Sequence, residues 1–105
     1  MALLKGTLDV LVLKALSTGP MHGFEITRWI DEGSGGEFEI EAAALLQALH
    51  RLEERRLLTA AWGTTENNRK ARYYSLTAAG KAHLGAETAA LKSSVAALTA
   101  ILDVR

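Results

Sequence analysis

The last quarter of the chain carries a heptad pattern that constrains the fold more than any other feature. Thr77 can cap a helix running from residue 78 to near 104, about 40 Å long at 1.5 Å per residue. Residues 1–77 form too small a domain to cover such a helix, although the helix could still fold back on its own core. We expect self-association along a stripe whose apolar positions are Leu84, Leu91, Val95, Leu98 and Leu102.

The first predicted helix, over residues 8–16, adds to the same expectation. Leu8 and Leu11 lie on one stripe, and Val10 and Leu13 widen the apolar surface nearly all round. A helix that is apolar on most of its faces must be buried on more than one side. In a chain of 105 residues the second side fits a partner subunit, so Leu8 and Leu11 join the predicted dimer interface.

The order of predicted elements indicates a mainly α (α+β) fold. It reads helix, helix, short strand, helix, β-hairpin and long helix, which is typical of a winged helix-turn-helix with an added C-terminal dimerisation helix. We expect a winged-helix DNA-binding domain over residues 1–77 and the dimerisation helix over 78–105. The predicted elements are helices over 8–16, 23–32, 41–55 and 78–104, a strand over 37–40, and hairpin strands over 58–62 and 71–76.

The charges are distributed unevenly, although the formal net charge is zero. Residues 1–50 carry a net charge of −4, and residues 51–72 carry +3. In a winged helix the third helix enters the major groove and the hairpin, called the wing here, lies along phosphates. The basic stretch includes the polar loop of that hairpin, residues 63–70, called the wing tip. The predicted DNA contacts are Leu46, Gln47, His50 and Arg51 on the third helix, and Asn67, Asn68, Arg69, Lys70 and Arg72 on the wing.

The residue pattern offers no support for enzyme or metal chemistry. The sequence has no cysteine, which removes disulfides, iron–sulfur clusters and cysteine-based zinc sites. The three histidines, His22, His50 and His83, form no convergent arrangement with a nucleophile, a paired acid or a metal-binding spacing. We therefore expect no enzyme activity, no metal and no cofactor.

Nothing in the sequence indicates a membrane or export segment. The longest apolar run, residues 8–16, is broken by Asp9 and Lys14 and falls short of the roughly 18 residues that a span requires. Residues 1–7 carry one lysine and no small-residue cleavage pattern. We expect a cytoplasmic protein without membrane contact.

Four segments resemble PadR-type transcriptional regulators. The resemblance extends over residues 3–84 and is closest to short members of the family whose wing carries an Asn-Asn-Arg run. It implies a homodimer that joins through its N- and C-terminal helices, binds double-stranded operator DNA, usually represses, and often responds to a small aromatic or multidrug-type effector. The segments are residues 6–16 (GTLDVLVLKAL), 19–24 (GPMHGF), 48–55 (ALHRLEER) and 66–77 (ENNRKARYYSLT).

The chain departs from the family pattern at three positions. Leu46 stands where the family usually has a tyrosine that faces DNA, which removes a hydrogen-bonding group from the third helix. Arg56 replaces the usual glycine after that helix, where a left-handed cap would cost about 1 kcal/mol. Leu91 is the nearest equivalent of an aromatic residue near the dimer cleft of some relatives, so a ring-stacking effector site is not supported.

A second function class stays open at the level of sequence. A winged helix can bind another protein through its recognition face or its dimer face, without sequence-specific DNA binding. The neutral net charge and Leu46 favour this interpretation, whereas the basic wing disfavours it.

Overall fold

The computed structural model describes residues 6–105, which form four helices and one three-stranded antiparallel sheet. Residues 1–5, with which the predicted domain 1–77 begins, lie outside the described residues. This architecture confirms the predicted winged helix with a long C-terminal helix. The elements are α1 (Thr7–Leu16), β1 (Met21–His22), α2 (Gly23–Gly33), α3 (Ala42–Glu54), β2 (Leu58–Thr64), β3 (Lys70–Leu76) and α4 (Ala78–Leu102).

The predicted strand over residues 37–40 is wrong. Residues 37–40 form a loop that takes no part in the sheet. Their apolar and polar residues alternate because the half-buried side chains of Phe38 and Ile40 pack against the core. The third strand is instead β1, where Met21 pairs with Tyr74 on β3. The sheet order is therefore β1-β3-β2, with β3 in the centre. A strand of two residues is too short to produce a period-2 pattern, so the sequence could not reveal it.

One hydrophobic core joins the helices to the sheet. Its largest fully buried side chains come from α1, α2, α3 and β2, and Tyr74 joins them from β3. Burying a side chain of this size contributes roughly 1.5–3 kcal/mol. The core orients α3 by burying one of its faces and leaves the opposite face free for another role. The largest of these buried side chains are Leu13, Ile26, Leu49, Leu52 and Leu58.

A left-handed turn connects α3 to the wing. Arg56 adopts φ 59°, so the helix ends in a left-handed residue although an arginine stands there instead of glycine. The amide of Leu57 donates to the carbonyl of Leu52 at 3.0 Å, and that of Arg56 donates to Glu53 at 2.9 Å. This pair of bonds satisfies the last carbonyls of the helix in the Schellman arrangement. The Arg56 carbonyl also accepts a 2.9 Å hydrogen bond from Thr77 Oγ1, which ties the turn to the start of α4.

The long helix α4 leaves the domain after its second turn. Thr77 caps the helix as predicted, because its Oγ1 accepts from the Gly80 amide at 2.9 Å. Gly80 and Leu84 are the buried residues of this 25-residue helix. Among residues 6–105 nothing folds back to cover the helix beyond Leu91, and the molecule is 56 Å long but only 29 and 21 Å across. The alternative of a helix packed on its own core is therefore wrong for the part beyond Leu91.

Candidate nucleic-acid interface

The exposed face of α3 carries the four side chains that the sequence analysis assigns to DNA. The buried side of the helix consists of Leu45, Ala48, Leu49 and Leu52. Because α3 repeats every 3.6 residues, the residues between these positions point away from the core. The four exposed side chains are Leu46, Gln47, His50 and Arg51.

Arg51 is not a free cation. Its Nη2 lies 2.7 Å from Oδ1 of Asp9 on α1, and its Nε lies 3.4 Å from the other carboxylate oxygen. The hydrogen bond and the charge of Asp9 raise the pKa of Arg51 above its ordinary value. A base or a phosphate would therefore compete with Asp9 for this guanidinium. The sequence pattern did not predict the ion pair between Arg51 and Asp9.

The wing tip is an ordered turn with exposed cations. The amide of Thr65 donates to the carbonyl of Arg69 at 2.8 Å, and that of Asn68 donates to Thr65 at 2.9 Å. Asn68 adopts φ 61°, a conformation that asparagine tolerates better than most residues. Within residues 6–105 neither Arg69 nor Lys70 forms an ion pair, and both side chains are exposed with Asn67. These side chains are free to meet an anion.

Arg72 differs from the other wing cations. Its Nη2 lies 3.0 Å from Oε2 of Glu53 on α3, and its guanidinium carbon lies 6.0 Å from the centre of the Tyr74 ring. Arg72 thus links the wing to α3, and its guanidinium is less available to phosphate than the side chains of Arg69 and Lys70.

An open groove separates the starts of α2 and α3 from the wing. Phe24 and Leu46 line it together with Tyr73, and basic side chains of α2 and the wing also face it. Phe24 is 69% exposed and Leu46 is 49% exposed, so two large apolar side chains of this groove are open to solvent. The sequence analysis did not assign Phe24 to the site, although the residue lies off the stripe formed by Ile26 and Ile30.

A capping box fixes the edge of this groove. Nδ1 of His22 accepts from the Glu25 amide at 3.3 Å, and Oε1 of Glu25 accepts from the His22 amide at 3.1 Å. The His22 ring also packs edge-on against Tyr73, with ring centres 5.4 Å apart. These contacts join the start of α2 to the wing and account for His22 as a structural residue.

The predicted dimer residues fall into two groups. Leu84 belongs to the domain core, and Leu8 and Leu11 pack, half-buried, against that core. Val95, Leu98 and Leu102 are 53%, 54% and 79% exposed. Leu91 is half-buried, and Ile101, which the heptad positions missed, is 70% exposed. The second half of α4 therefore presents a row of apolar side chains that the described chain does not cover.

Neither a metal cluster nor a membrane helix is present in the part of the chain that the structure describes. No three histidine or acidic side chains among residues 6–105 converge to hold a metal ion. Within the same range, no helix is both long and apolar enough to cross a bilayer.

Comparison with known proteins identifies relatives that match most of the chain. The family model described as "Transcriptional regulator PadR-like family" matches residues 12–86. An uncharacterized protein from Lysinibacillus sphaericus is 30% identical over 82 residues, which cover 78% of this chain and 75% of that protein.

Solved structures show the same fold. A PadR family transcriptional regulator from Eggerthella lenta is 26% identical, with a TM-score of 0.79 over 96% of this chain and 86% of the other. The structure of PadR from Bacillus subtilis in complex with operator DNA is 22% identical, with a TM-score of 0.70 over 79% of this chain and 47% of that one. At 22% identity the second likeness concerns the fold alone.

Proposed function

The chain belongs to the PadR-like family of transcriptional regulators, and from this premise we propose that it is a homodimeric repressor that binds operator DNA. The family consists of transcriptional regulators rather than enzymes, which confirms the expectation that the chain has no catalytic role. In this proposal residues 1–77 contain the DNA-binding domain, and residues 78–105 contain the dimerisation helix.

One observation carries the proposal: an exposed polar helix face and an exposed basic turn belong to the same small domain. Gln47 and His50 offer hydrogen-bonding groups on α3, while Arg69 and Lys70 offer exposed cations on the wing tip that form no ion pair within residues 6–105. A helix of this kind fits the major groove, about 12 Å wide, and the wing then meets the phosphate backbone. PadR from Bacillus subtilis, which has the same fold and whose structure includes operator DNA, also supports the proposal that this chain binds DNA.

The homodimer rests on the uncovered half of α4. Exposed apolar side chains in a row are costly in water, and a second copy of the same helix would bury them at heptad spacing. In a symmetric dimer two copies of α3 would meet half-sites about one helical turn apart. Leu8, Leu11 and Leu91 lie closer to the domain and would form the inner part of the interface.

A small-molecule effector completes the proposal. The family resemblance implies a small aromatic or multidrug-type ligand that releases the protein from DNA. Because Leu91 stands where some relatives have an aromatic residue, the effector is not expected to stack on a ring at that position. An effector is identified as a compound that raises the melting temperature of the protein and weakens its binding to DNA.

Electrophoretic shift with the DNA upstream of the chain's own gene tests the proposal. We expect a sequence-specific complex that weakens steeply as salt rises, because phosphate contacts release counterions. Absence of any shift at low salt, together with a stable complex with another protein, would support the second function class, a protein-interaction module. Leu46 and the ion pairs of Arg51 and Arg72 are the observations that favour this alternative.

A further inference from the structure

We propose that Phe24 and Leu46 form an apolar reading surface for thymine methyl groups in the operator. This inference rests on the proposed function, since it names the bases that the DNA-binding groove prefers. Both side chains lie outside the hydrophobic core, and both line the same groove between α2, α3 and the wing.

The two helices that carry these side chains approach each other closely at one edge of the groove. A Cβ atom on Gly23 would lie 3.5 Å from Cδ2 of Leu45, so the first turn of α2 meets the first turn of α3. Phe24 and Leu46 each follow one of these contact residues in the sequence. Two large apolar side chains therefore border the same helix crossing while remaining 69% and 49% exposed.

The charges around the groove identify nucleic acid as its occupant. The guanidinium carbon of Arg28 lies 5.9 Å from the centre of the Phe24 ring, and Arg69 and Lys70 line the wing side. The acidic groups of the groove are Glu25, which the His22 amide engages, and Glu66 at the wing tip. An apolar surface with cations on both sides matches a DNA major groove, where phosphates flank the base edges.

Thymine is the base that such a surface can recognise. It is the only standard DNA base that presents a methyl group in the major groove, and aromatic or aliphatic side chains contact that methyl group favourably. Neither Phe24 nor Leu46 has a hydrogen-bonding group that could distinguish the other base edges. Their contribution to specificity is therefore a preference for thymine at the positions that they cover.

Replacement of thymine by deoxyuridine isolates this contact, because the two bases differ only in the methyl group. A short duplex is first enriched from a random library by binding to the full chain. It is then synthesised in a thymine form and a deoxyuridine form, and both affinities are measured by fluorescence anisotropy. We expect the wild-type chain to bind the thymine duplex more tightly, by about fourfold for each methyl group that it buries.

The variants separate a reading role from a structural one. The ratio of the affinity for the thymine duplex to that for the deoxyuridine duplex should move closer to one in Leu46→Ala and in Phe24→Ala. Leu46→Met should retain the wild-type ratio. Trp62→Ala is the matched control, because Trp62 is 73% exposed but does not line this groove. It should leave the ratio unchanged. Since every protein is tested on the same two duplexes, any effect of the methyl group on DNA stiffness is common to all of them.

Two results would overturn the inference, and they differ from a failure of the proposed function. Equal wild-type affinity for both duplexes, or an unchanged ratio in both alanine variants, would remove methyl reading while DNA binding stands. Failure to enrich any duplex, even at low salt, would refute the proposed function together with this inference.

Discussion

The guanidinium of Arg51 lies 2.7 Å from the carboxylate of Asp9, so an ion pair joins the exposed face of α3 to α1 across 42 positions of sequence. Arg51 is 53% exposed and Asp9 is 19% exposed. The pair therefore lies near the surface, where solvent screens it and where DNA could replace the carboxylate. Arg51, which the sequence predicts as a DNA contact, is therefore bound to the Asp9 carboxylate in the DNA-free protein.

Asp9→Asn is expected to strengthen binding to DNA of any sequence. The substitution frees Arg51 and removes a negative charge next to the proposed DNA surface. One additional phosphate contact should steepen the slope of log affinity against log salt by about 0.9. Salt titrations of the wild-type and variant proteins measure this slope.

The double variant Asp9→Asn, Arg51→Ala provides the control for that experiment. Its slope should return to the wild-type value if Arg51 supplies the new contact. The stability cost of Asp9→Asn should stay within about 1 kcal/mol, since partly exposed pairs contribute little. An unchanged slope in the single variant would mean that Asp9 does not restrain Arg51 from DNA.

Gln47→Ala is expected to reduce sequence discrimination. Gln47 lies exposed on α3, and its amide can form a bidentate contact with an adenine edge. The loss on the best selected duplex should be about 1–3 kcal/mol, with little change on random DNA. Competition binding with both duplexes measures the difference. An equal loss on the two would show that α3 does not read bases at this position.

The sequence revealed the parts of the site that depend on local periodicity. The spacing of Leu45, Leu49 and Leu52 identified the buried face of α3, and hence its exposed face. The polar run between two alternating segments identified the wing tip. In both cases the pattern repeats within a few residues, so the physical cause is visible in the sequence itself.

The parts that depend on distant contacts could not be predicted in this way. Asp9 and Arg51 meet only because α1 packs beside α3, and β1 exists only because β3 offers an edge to Met21 and His22. Arg72 resembles the other wing cations in sequence, yet its strand position directs it to Glu53. Each of these contacts depends on tertiary packing between segments far apart in the sequence, so no local sequence pattern predicts it.

Leu98→Glu is expected to disrupt the proposed dimer. Leu98 lies 54% exposed in the second half of α4, far from the core, so the substitution should leave the fold of a single chain intact. In a dimer the same carboxylate would be buried against apolar side chains without a partner, which is strongly destabilising. Light scattering should show monomer or aggregate.

A substitution on the same helix serves as the control for Leu98→Glu. Ser93→Glu also adds one negative charge to exposed α4, but at a position that faces away from the predicted stripe. In light scattering this variant should keep the molecular mass of the wild-type dimer. A wild-type monomer at micromolar concentration would refute the dimer itself, whichever variant is compared.

Gly80→Ala is expected to destabilise the domain where α4 meets the wing. A Cβ atom at this position would overlap the Leu57 carbonyl oxygen and lie 2.8 Å from Cδ1 of Leu76. The clash involves backbone, so it cannot be relieved by a side-chain rotation, and overpacking of this kind typically costs about 1–3 kcal/mol. Gly85→Ala is the matched control, because nothing lies within 4 Å of its added Cβ. Chemical denaturation should show a gain of about 0.5–1 kcal/mol for Gly85→Ala.

Arg69→Ala is expected to weaken binding to every DNA sequence to a similar extent. The turn uses only backbone groups of Arg69, which accepts from the Thr65 amide and donates to Thr65 Oγ1, so removal of the side chain leaves the wing tip in place. If the guanidinium neutralises one phosphate, the slope of log affinity against log salt should become shallower by about one.

Removal of any positive charge also lowers the general attraction to DNA, and the control must account for this effect. Lys92→Ala removes the same charge from the exposed surface of α4, away from the wing, and should shift affinity slightly without changing the slope. Titration of the wild-type protein and both variants at several salt concentrations separates a direct contact from a field effect. If the Arg69→Ala and Lys92→Ala slopes coincide with that of the wild-type protein, the Arg69 side chain does not contact phosphate. The exposed apolar pair Phe24 and Leu46 would then fit a protein partner better than DNA.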